Sequence, residues 1–235
     1  MNNRPLVEIC VETLAAALAA ERGGADRIEL CENLRVGGVT PSVELMRAAR
    51  KQIQIPIFAM IRPRGGDFFY SEEEFDAMIR ELATVRESGM DGAVFGLLDA
   101  DRQVDVRRTR TLVEMARPLP VTFHRAFDET ASLMQALGDV IGTGAARILT
   151  SGGEASAEEG IATITELVDA SRGRIAIMPG GGISAGNIER VLRMTGARES
   201  HSGLSTVLPS PLTDLVAFQS EVCKLAELSR KGSLL

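Results

Sequence analysis

Hydrophobic and polar positions along the chain alternate between two patterns. Short apolar runs of strand length are each followed by a longer segment in which apolar residues recur with a helical period. Both patterns occur eight times. The predicted strands cover residues 7–10, 27–30, 55–61, 92–95, 121–124, 147–150, 175–178 and 199–201. The helices between them are expected to begin near Thr13, Ser42, Ser71, Val104, Thr130, Ala157, Ala185 and Leu212.

This alternation predicts an α/β fold built on a parallel sheet, because each strand returns to the same edge through a helix. Eight such units within 235 residues fit a single closed (β/α)8 TIM-type barrel, with residues 1–235 forming one domain. Gly24, Gly144 and Gly196, with Gly89 as a variant, precede predicted strands and are expected to end helices in a left-handed cap. A doubly wound open sheet is the alternative, but no GxGxxG phrase follows a strand.

Composition and charge restrict the function classes. A hydrophobic fraction of 45% and a charged fraction of 25% are ordinary for a globular protein with a buried core. The net charge of -6 argues against nucleic acid or an anionic membrane surface as a partner, since both attract a basic excess. The chain has no run of roughly 18 apolar residues and no signal-peptide pattern in residues 1–10, so we expect a cytoplasmic protein. Three cysteines without CxxC spacing fit a reducing compartment, and two histidines exclude a three-histidine zinc site.

The segment from residue 60 to residue 71 concentrates candidate binding residues. Arg62 and Arg64 follow the third predicted strand at positions of equal parity, so extended backbone would point both to the same side. Two glycines after them permit a tight turn, and Ser71 with Glu74 forms a capping-box pattern at the start of the next helix. We interpret the two arginines as a site for an anion. The alternative is that both pair with the chain's own carboxylates and only fix the loop.

Barrel enzymes carry their functional residues at the carboxyl ends of the strands, and polar residues of this chain lie there. Glu8 and Glu29 on neighbouring strands would face one space, where close carboxylates have separated pKa values and one can serve as acid or base. They would need a cation, from Arg62, Arg125 or His124. The alternative is a satisfied buried network. The catalytic candidates are Glu8, Glu29, His124, Arg125 and Asp128.

Glycine-rich loops follow the last two predicted strands. In many barrels these loops bind phosphate through backbone N–H groups. The phrase P-G-G-G-I from Pro179, together with Ser202-Gly203, fits this arrangement, although glycines also serve tight loops that bind nothing. We interpret Asn187, just inside the next helix, as a loop-bracing residue. The anion-binding candidates are Arg62, Arg64, Gly180, Gly181, Gly182 and Ser202.

Cys10 and Cys31 end adjacent predicted strands about 4.8 Å apart, so their sulfur atoms are expected to meet at the barrel mouth. Two soft sulfur ligands in a reducing compartment suit Cu(I), with Met60, Met178 or a histidine as further ligands. The alternative is that both cysteines are small apolar fillers of the core. We expect that packing role for Cys223 in the last helix.

Several long phrases of the chain resemble the CutC family: V-E-I-C-V-E from Val7, G-A-D-R-I-E-L-C-E-N-L from Gly24, G-G-V-T-P-S from Gly37, I-R-P-R-G-G-D-F-F-Y-S from Ile61, V-T-F-H-R-A-F-D from Val121, R-I-L-T-S-G from Arg147 and P-G-G-G-I from Pro179. The resemblance runs over nearly the whole chain. It implies a TIM-type barrel, a cytoplasmic protein, a homodimer and a role in copper homeostasis with copper binding. The copper ligands that it implies are Cys10 and Cys31, with His124 and His201, the only imidazoles of the chain, as further candidates. Ser200 stands where the family usually has an apolar residue, but His201 is kept.

Two functions are therefore expected. The first is a copper homeostasis protein that holds Cu(I) through Cys10 and Cys31. The second is a barrel enzyme of isomerase, lyase or aldolase type that transfers a proton on a small anionic or phosphorylated compound. A third interpretation is a scaffold whose helices form an interaction surface, but the chain offers no exposed apolar stripe in its favour.

Overall fold

The computed structural model of the chain describes residues 4–204, 207–208 and 214–231, with Lys231 described by its backbone only. Its strands are β1 Leu6–Val11, β2 Arg27–Leu30, β3 Ile57–Met60, β4 Gly92–Phe95, β5 Val121–Phe123, β6 Arg147–Thr150, β7 Ala176–Pro179 and β8 Glu199–Ser202. Its α-helices are α1 Leu14–Arg22, α2 Val43–Gln52, α3 Glu72–Glu87, α4 Val106–Ala116, α5 Leu133–Thr143, α6 Ile161–Ser171, α7 Ile188–Thr195 and α8 Leu215–Lys231. Two short 3-10 helices, Leu34–Val36 and Arg125–Glu129, precede α2 and α5.

The strands lie side by side in the order β7-β6-β5-β4-β3-β2-β1-β8, and each neighbouring pair is parallel. A parallel bridge between Gly180 and His201 joins the two outer strands and closes the sheet into a barrel. Within the described residues, eight α-helices alternate with these strands and cover the outside of the barrel. The predicted α/β fold with a TIM-type barrel is confirmed.

Three strands, β2, β4 and β6, have the predicted bounds, and the others differ by one or two residues at one or both ends. β5 ends at Phe123 because His124 already caps the following 3-10 helix. That 3-10 helix also delays α5, which begins at Leu133 and not near Thr130. The expected start of the last helix at Leu212 lies outside the described residues.

Capping side chains explain where several helices begin. Thr13, Ser42 and Ser132 each accept a hydrogen bond from the backbone N–H three residues further on. Ser71 accepts from the backbone of Glu74 while the Glu74 carboxylate accepts from the backbone of Ser71, so the predicted capping box is present. Left-handed backbone follows the helices at the predicted glycines Gly24, Gly89, Gly144 and Gly196.

Two sets of apolar side chains form the core. The larger set lies between the strands and the surrounding helices. The smaller set lies inside the barrel and consists of Cys10, Cys31, Phe58, Met60 and Val94. Because this inner set is small, polar side chains occupy much of the remaining barrel interior, in contrast to the branched apolar layers that usually fill such barrels.

The interior towards the amino-terminal ends of the strands is ionic. Arg27 at the start of β2 donates to Glu8 and, at 2.7 Å, to Glu199. Arg147 at the start of β6 donates to both Glu199 oxygens, at 2.8 and 3.2 Å. Both guanidinium groups lie over the Phe58 ring, at 4.8 and 5.1 Å from its centre. We call Glu8, Arg27, Arg147 and Glu199 the floor network. A cavity opens on the side of this network that faces the carboxyl ends of the strands.

Candidate functional site

A cavity of about 800 Å³ opens at the carboxyl ends of the strands. Its wall includes Cys10 from β1, Glu29 from β2, Arg62 after β3, His124 after β5 and His201 from β8. This volume suits a small molecule, and the position is the one at which barrel proteins carry their functional residues. The fold therefore brings together candidate residues from five different strands.

The sulfur atoms of Cys10 and Cys31 meet, as the sequence predicted, and Cys10 lines the cavity. Their sulfur atoms lie 3.5 Å apart, both side chains are buried, and both thiols are free. Met60 packs beside the pair, whereas the sulfur of Met178 accepts a hydrogen bond from Arg27 at 3.3 Å. The hydrogen bond with Cys31 and burial raise the pKa of the Cys10 thiol well above its ordinary value. Cys10 is therefore a thiol at neutral pH unless a cation replaces the proton.

Cys10 also belongs to a second group of possible ligands. Cys10, Glu29 and His201 each offer one atom, and these three atoms lie within 4.8 Å of one another. His201 Nε2 is 3.8 Å from Glu29, while His201 Nδ1 contacts Glu8 at 2.7 Å. Burial raises the pKa of Glu29, and one of its oxygens finds no hydrogen-bond partner among the described residues. Burial alone would lower the pKa of His201, but Glu29 and Glu8 outweigh it and raise the value.

The cation that balances Glu8 is Arg27, and not Arg62, Arg125 or His124 as expected. Arg27 occupies the first position of β2, two residues before Glu29, so alternation along the strand turns its side chain into the barrel. Burial alone would raise the pKa of Glu8, but the Arg27 guanidinium and the bonded imidazole lower it to about 2. Glu8 is therefore a carboxylate with its charge compensated, which fits the buried-network alternative better than a general base.

His124 is buried in the cavity wall. Its Nδ1 accepts a hydrogen bond from the backbone N–H of Ala126 at 3.2 Å, so the proton of the neutral ring is on Nε2. Nε2 has no partner among the described residues. Burial, with the charge of Arg62, lowers the pKa of His124 to about 3, so the ring stays neutral at physiological pH. A protonated Nε2 cannot bind a metal ion, so this geometry favours hydrogen-bond donation over the metal-binding role expected for His124.

The two arginines of the 60–71 segment face different directions. Arg62 is buried in the cavity wall, where it donates to three backbone carbonyls of neighbouring loops. Arg64 is not among the described residues that line the cavity, and it pairs with Asp67 at 2.9 Å and Glu74 at 2.5 Å. The expectation that both point to the same side is wrong, because β3 ends at Met60 and the parity rule holds only for extended backbone. Arg64 follows the loop-fixing alternative. Arg62 also braces loops through its three backbone contacts, but its side chain lines the cavity.

Arg125 and Asp128 hold the loop that follows β6. Arg125 donates to Asp128 and to the Ser151 hydroxyl, each at 2.8 Å. Asp128 also accepts from the Thr150 hydroxyl and from the backbone N–H groups of Ser151 and Gly153. Both side chains line the cavity. Because loop donors occupy both Asp128 oxygens, the geometry favours loop positioning over the catalytic role expected for this pair.

The glycine-rich loop after β7 contributes to the cavity in part. Gly181 and Gly182 line it with φ angles of 100° and 73°, which place both in the left-handed region. Gly180 lies behind the wall, where a side chain would overlap its neighbours. The Ser202 hydroxyl donates to a loop carbonyl at 2.6 Å. Asn187 donates to Gly182 O at 2.9 Å, which is the bracing role expected for it. The anion-binding geometry at this loop is thus limited to Gly181 and Gly182.

Three members of the floor network were not expected from the sequence. Arg27, Arg147 and Glu199 each stand first in a predicted strand, and a charged residue at that position in three strands is the signal that could have found them. Phe68 was also not predicted. Its ring centre lies 4.8 Å from the imidazole of His124 and 4.8 Å from the guanidinium of Arg62. The packing role expected for Cys223 is wrong, because its position on α8 faces solvent.

Comparison with known proteins identifies the family. The model of the CutC family matches residues 5–206. The chain belongs to the CutC family. The copper homeostasis protein cutC homolog of Mus musculus is 48% identical over 196 residues, which cover 83% of this chain and 72% of that protein. The family protein CutC of Chromobacterium violaceum is 49% identical over 197 residues, or 84% of this chain and 80% of that one.

A solved CutC structure supports the fold as well. The CutC chain from Streptococcus agalactiae superposes with a TM-score of 0.81 at 32% identity, covering 85% of this chain and 98% of that chain. The CutC family model ends close to the end of β8, so all the cavity-lining residues named above lie within the matched part. In the part of the chain that the structure describes, no helix combines the length and apolar character needed to cross a membrane.

Proposed function

We propose that this CutC protein binds Cu(I) and takes part in copper homeostasis. The observation that carries the proposal is the 3.5 Å distance between the buried sulfur atoms of Cys10 and Cys31 beside the cavity. Soft thiolate and thioether ligands select Cu(I), and the neighbouring Met60 supplies a thioether. The mouse and human relatives are named copper homeostasis proteins, which supports the same role.

Copper binding to these cysteines is expected to release protons. The metal ligand is the thiolate, and the raised pKa of Cys10 means that the bound proton competes with the ion. The apparent affinity for Cu(I) should therefore increase with pH until the Cys10 thiol ionises on its own.

Anaerobic titration of the reduced, metal-free protein with Cu(I) against a competing chelator tests the proposal. We expect one ion per chain, and loss of tight binding in both Cys10→Ser and Cys31→Ser. Cys223→Ser is the matched control, because this cysteine is exposed on α8 and distant in sequence from the pair. Equal Cu(I) affinity of the Cys31→Ser protein and its parent would contradict the proposal.

A second candidate function is proton transfer on a small anionic or phosphorylated compound. The specific observation in its favour is His124, a neutral imidazole whose Nε2–H has no partner among the described residues and which lines a cavity of about 800 Å³. A neutral histidine of this kind can polarise a carbonyl group, and Glu29, which lines the same cavity, is the candidate for an acid or base. Arg62, Gly181 and Gly182 supply the positive charge and backbone groups for an anion.

A thermal-shift screen against small anions, beginning with inorganic phosphate and 2-oxo acids, tests this candidate. A ligand at 100 times its Kd adds about 2.7 kcal/mol to the free energy of unfolding. For a chain of this size that corresponds to a rise of roughly 5–11 °C in Tm. A specific ligand should lose most of this shift in His124→Leu, which removes the donor. A screen without any stabilising anion, or with shifts unchanged in the variant, would count against an enzyme.

The location and the oligomeric state of the protein are also proposals. We propose a cytoplasmic homodimer, because free cysteines fit a reducing compartment and the family resemblance implies a dimer. Light scattering coupled to gel filtration measures the mass directly, and a mass near 25.2 kDa would contradict the dimer.

A further inference from the structure

The three ligand atoms of Cys10, Glu29 and His201 have the spacing of a mixed metal site. In a tetrahedral zinc site with bond lengths of about 2.1 Å, neighbouring nitrogen and oxygen ligands lie about 3.4 Å apart. His201 Nε2 and Glu29 Oε2 are 3.8 Å apart, and all three ligand atoms fall within 4.8 Å. A shift of well under 1 Å thus brings the nitrogen and oxygen to bonding distance of one ion.

The imidazole of His201 is already oriented for metal binding. Its Nδ1 contacts Glu8 at 2.7 Å, and the other Glu8 oxygen accepts from Arg27. With Arg27 holding Glu8 as a carboxylate, Nδ1 must donate, so Nε2 is the nitrogen that faces Glu29 and that an ion would bind in place of a proton. A carboxylate that accepts from the second nitrogen of a histidine is the arrangement found behind metal-binding histidines.

Charge and ligand softness favour a divalent ion over Cu(I) at these three residues. One thiolate and one carboxylate carry two negative charges, which a divalent ion neutralises, and imidazole is a ligand that zinc prefers. The free oxygen of Glu29 is a buried acceptor without a partner among the described residues. Cu(I) instead suits the all-sulfur pair of Cys10 and Cys31, and Cys31 is outside the three-residue group.

We propose that Cys10, Glu29 and His201 form a second metal site for a divalent ion of the zinc class, with a coordination position open to the cavity. Three protein ligands with an open position are the pattern of catalytic zinc sites, whereas structural sites have four. All three residues line the cavity, so a bound ion would face its interior. The two ligand sets share the Cys10 sulfur, and the chain binds one ion or the other.

Titration of the reduced, metal-free protein with Co²⁺, followed by displacement with Zn²⁺, tests this site. We expect an absorption band from charge transfer between one cysteine thiolate and Co²⁺, abolished by Zn²⁺. Glu29→Gln keeps the side-chain volume and removes the charge, so it should weaken Co²⁺ binding by more than about tenfold. Cys31→Ser should leave the band intact. His201→Gln removes a second proposed ligand and should weaken Co²⁺ binding as Glu29→Gln does.

Cu(I) titration of the same variants separates this proposal from the copper proposal. Glu29→Gln should retain tight Cu(I) binding, which also shows that the variant is folded, whereas Cys31→Ser should lose it. Absence of a thiolate band with Co²⁺, or loss of that band in Cys31→Ser with retention in Glu29→Gln, would overturn the three-residue site and leave the Cu(I) pair untouched. Tight Cu(I) binding that persists in Cys31→Ser, together with a Co²⁺ band that behaves as expected, would overturn the copper proposal and support the three-residue site.

Discussion

Replacing Arg27 with methionine removes the central cation of the floor network while keeping most of its volume. Arg27 contacts Glu8, Glu199 and the sulfur of Met178, and its guanidinium lies over Phe58. Glu8 is 0% exposed and Arg27 is 3% exposed, so water cannot replace the lost partner. We expect Arg27→Met to destabilise the protein strongly at neutral pH.

Two independent arguments give the same magnitude for this variant. Removing one partner of a buried ion pair costs about 3–5 kcal/mol, because the other charge stays buried. The net lowering of the pKa of Glu8 from 4.5 to about 2 corresponds to roughly 3 kcal/mol; burial opposes it, Arg27 makes the largest favourable contribution to it, and His201 adds to it. For a chain of this size, 3 kcal/mol lowers Tm by about 6–12 °C.

The loss of stability should depend on pH. In the parent, the folded-state pKa of Glu8 is depressed, so its contribution is complete above about pH 4.5 and is lost as the pH falls towards 2. In Arg27→Met, the buried Glu8 carboxyl lacks its main cation, and its pKa rises above the unfolded value. The variant therefore escapes part of its penalty by protonation, and the difference from the parent should shrink between pH 7 and pH 5.

Urea unfolding of both proteins at pH 7 and pH 5 measures these differences. Arg190→Met is the matched control, because Arg190 pairs with Glu158 at the surface and should change the free energy of unfolding by less than about 1 kcal/mol. A loss of less than about 1 kcal/mol in the free energy of unfolding of Arg27→Met, or an equal loss at both pH values, would contradict the reasoning. It would show that removing Arg27 does not leave an uncompensated buried charge on Glu8.

Four further predictions concern local structure. Gly160→Ala should destabilise by about 1–3 kcal/mol in urea unfolding, because a methyl group there overlaps the carbonyl of Ser151. Gly138→Ala, at an open helical position, should instead stabilise by about 0.4–1 kcal/mol. Ser71→Ala should cost about 1 kcal/mol through loss of the α3 cap, read as a fall of about 2–4 °C in Tm; no change would contradict the capping box. In NMR spectra of the histidine-labelled protein, the His124 signal, assigned by its loss in His124→Leu, should not titrate between pH 5 and pH 8, since its pKa is lowered to about 3.

The alternation of strands with helices and the alternation of side chains along each strand were the parts of the structure that the sequence determined well. Glu8 with Cys10, and Glu29 with Cys31, were placed on one side of adjacent strands because alternation along a strand is strict. The meeting of the two sulfur atoms followed from this. The capping box at Ser71 was also correct, because it depends only on residues within one helical turn.

Contacts across the barrel and turns at strand ends could not be predicted in this way. Arg27 reaches Glu199 only because barrel closure places β8 beside β1, and no local pattern contains that information. Arg64 was misplaced because β3 ends before it. The proton of His124 is fixed by the backbone N–H of Ala126, which depends on the 3-10 turn after β5. The roles of these residues in catalysis or metal binding stay predictions, as does the assignment of residues 1–235 to one domain.

The floor network also bears on how the chain folds during synthesis. Glu199 lies 172 residues after Arg27, yet it is the carboxylate that Arg27 shares with Arg147. A nascent chain that lacks β8 would enclose two guanidinium groups with one carboxylate fewer, and a buried cation without its partner is strongly unfavourable. We expect the first seven strands to remain loosely assembled on the ribosome, with the barrel closing only when the last strand emerges. Circular permutants that keep all eight strands should therefore fold, whereas truncation before β8 should yield no stable partial barrel.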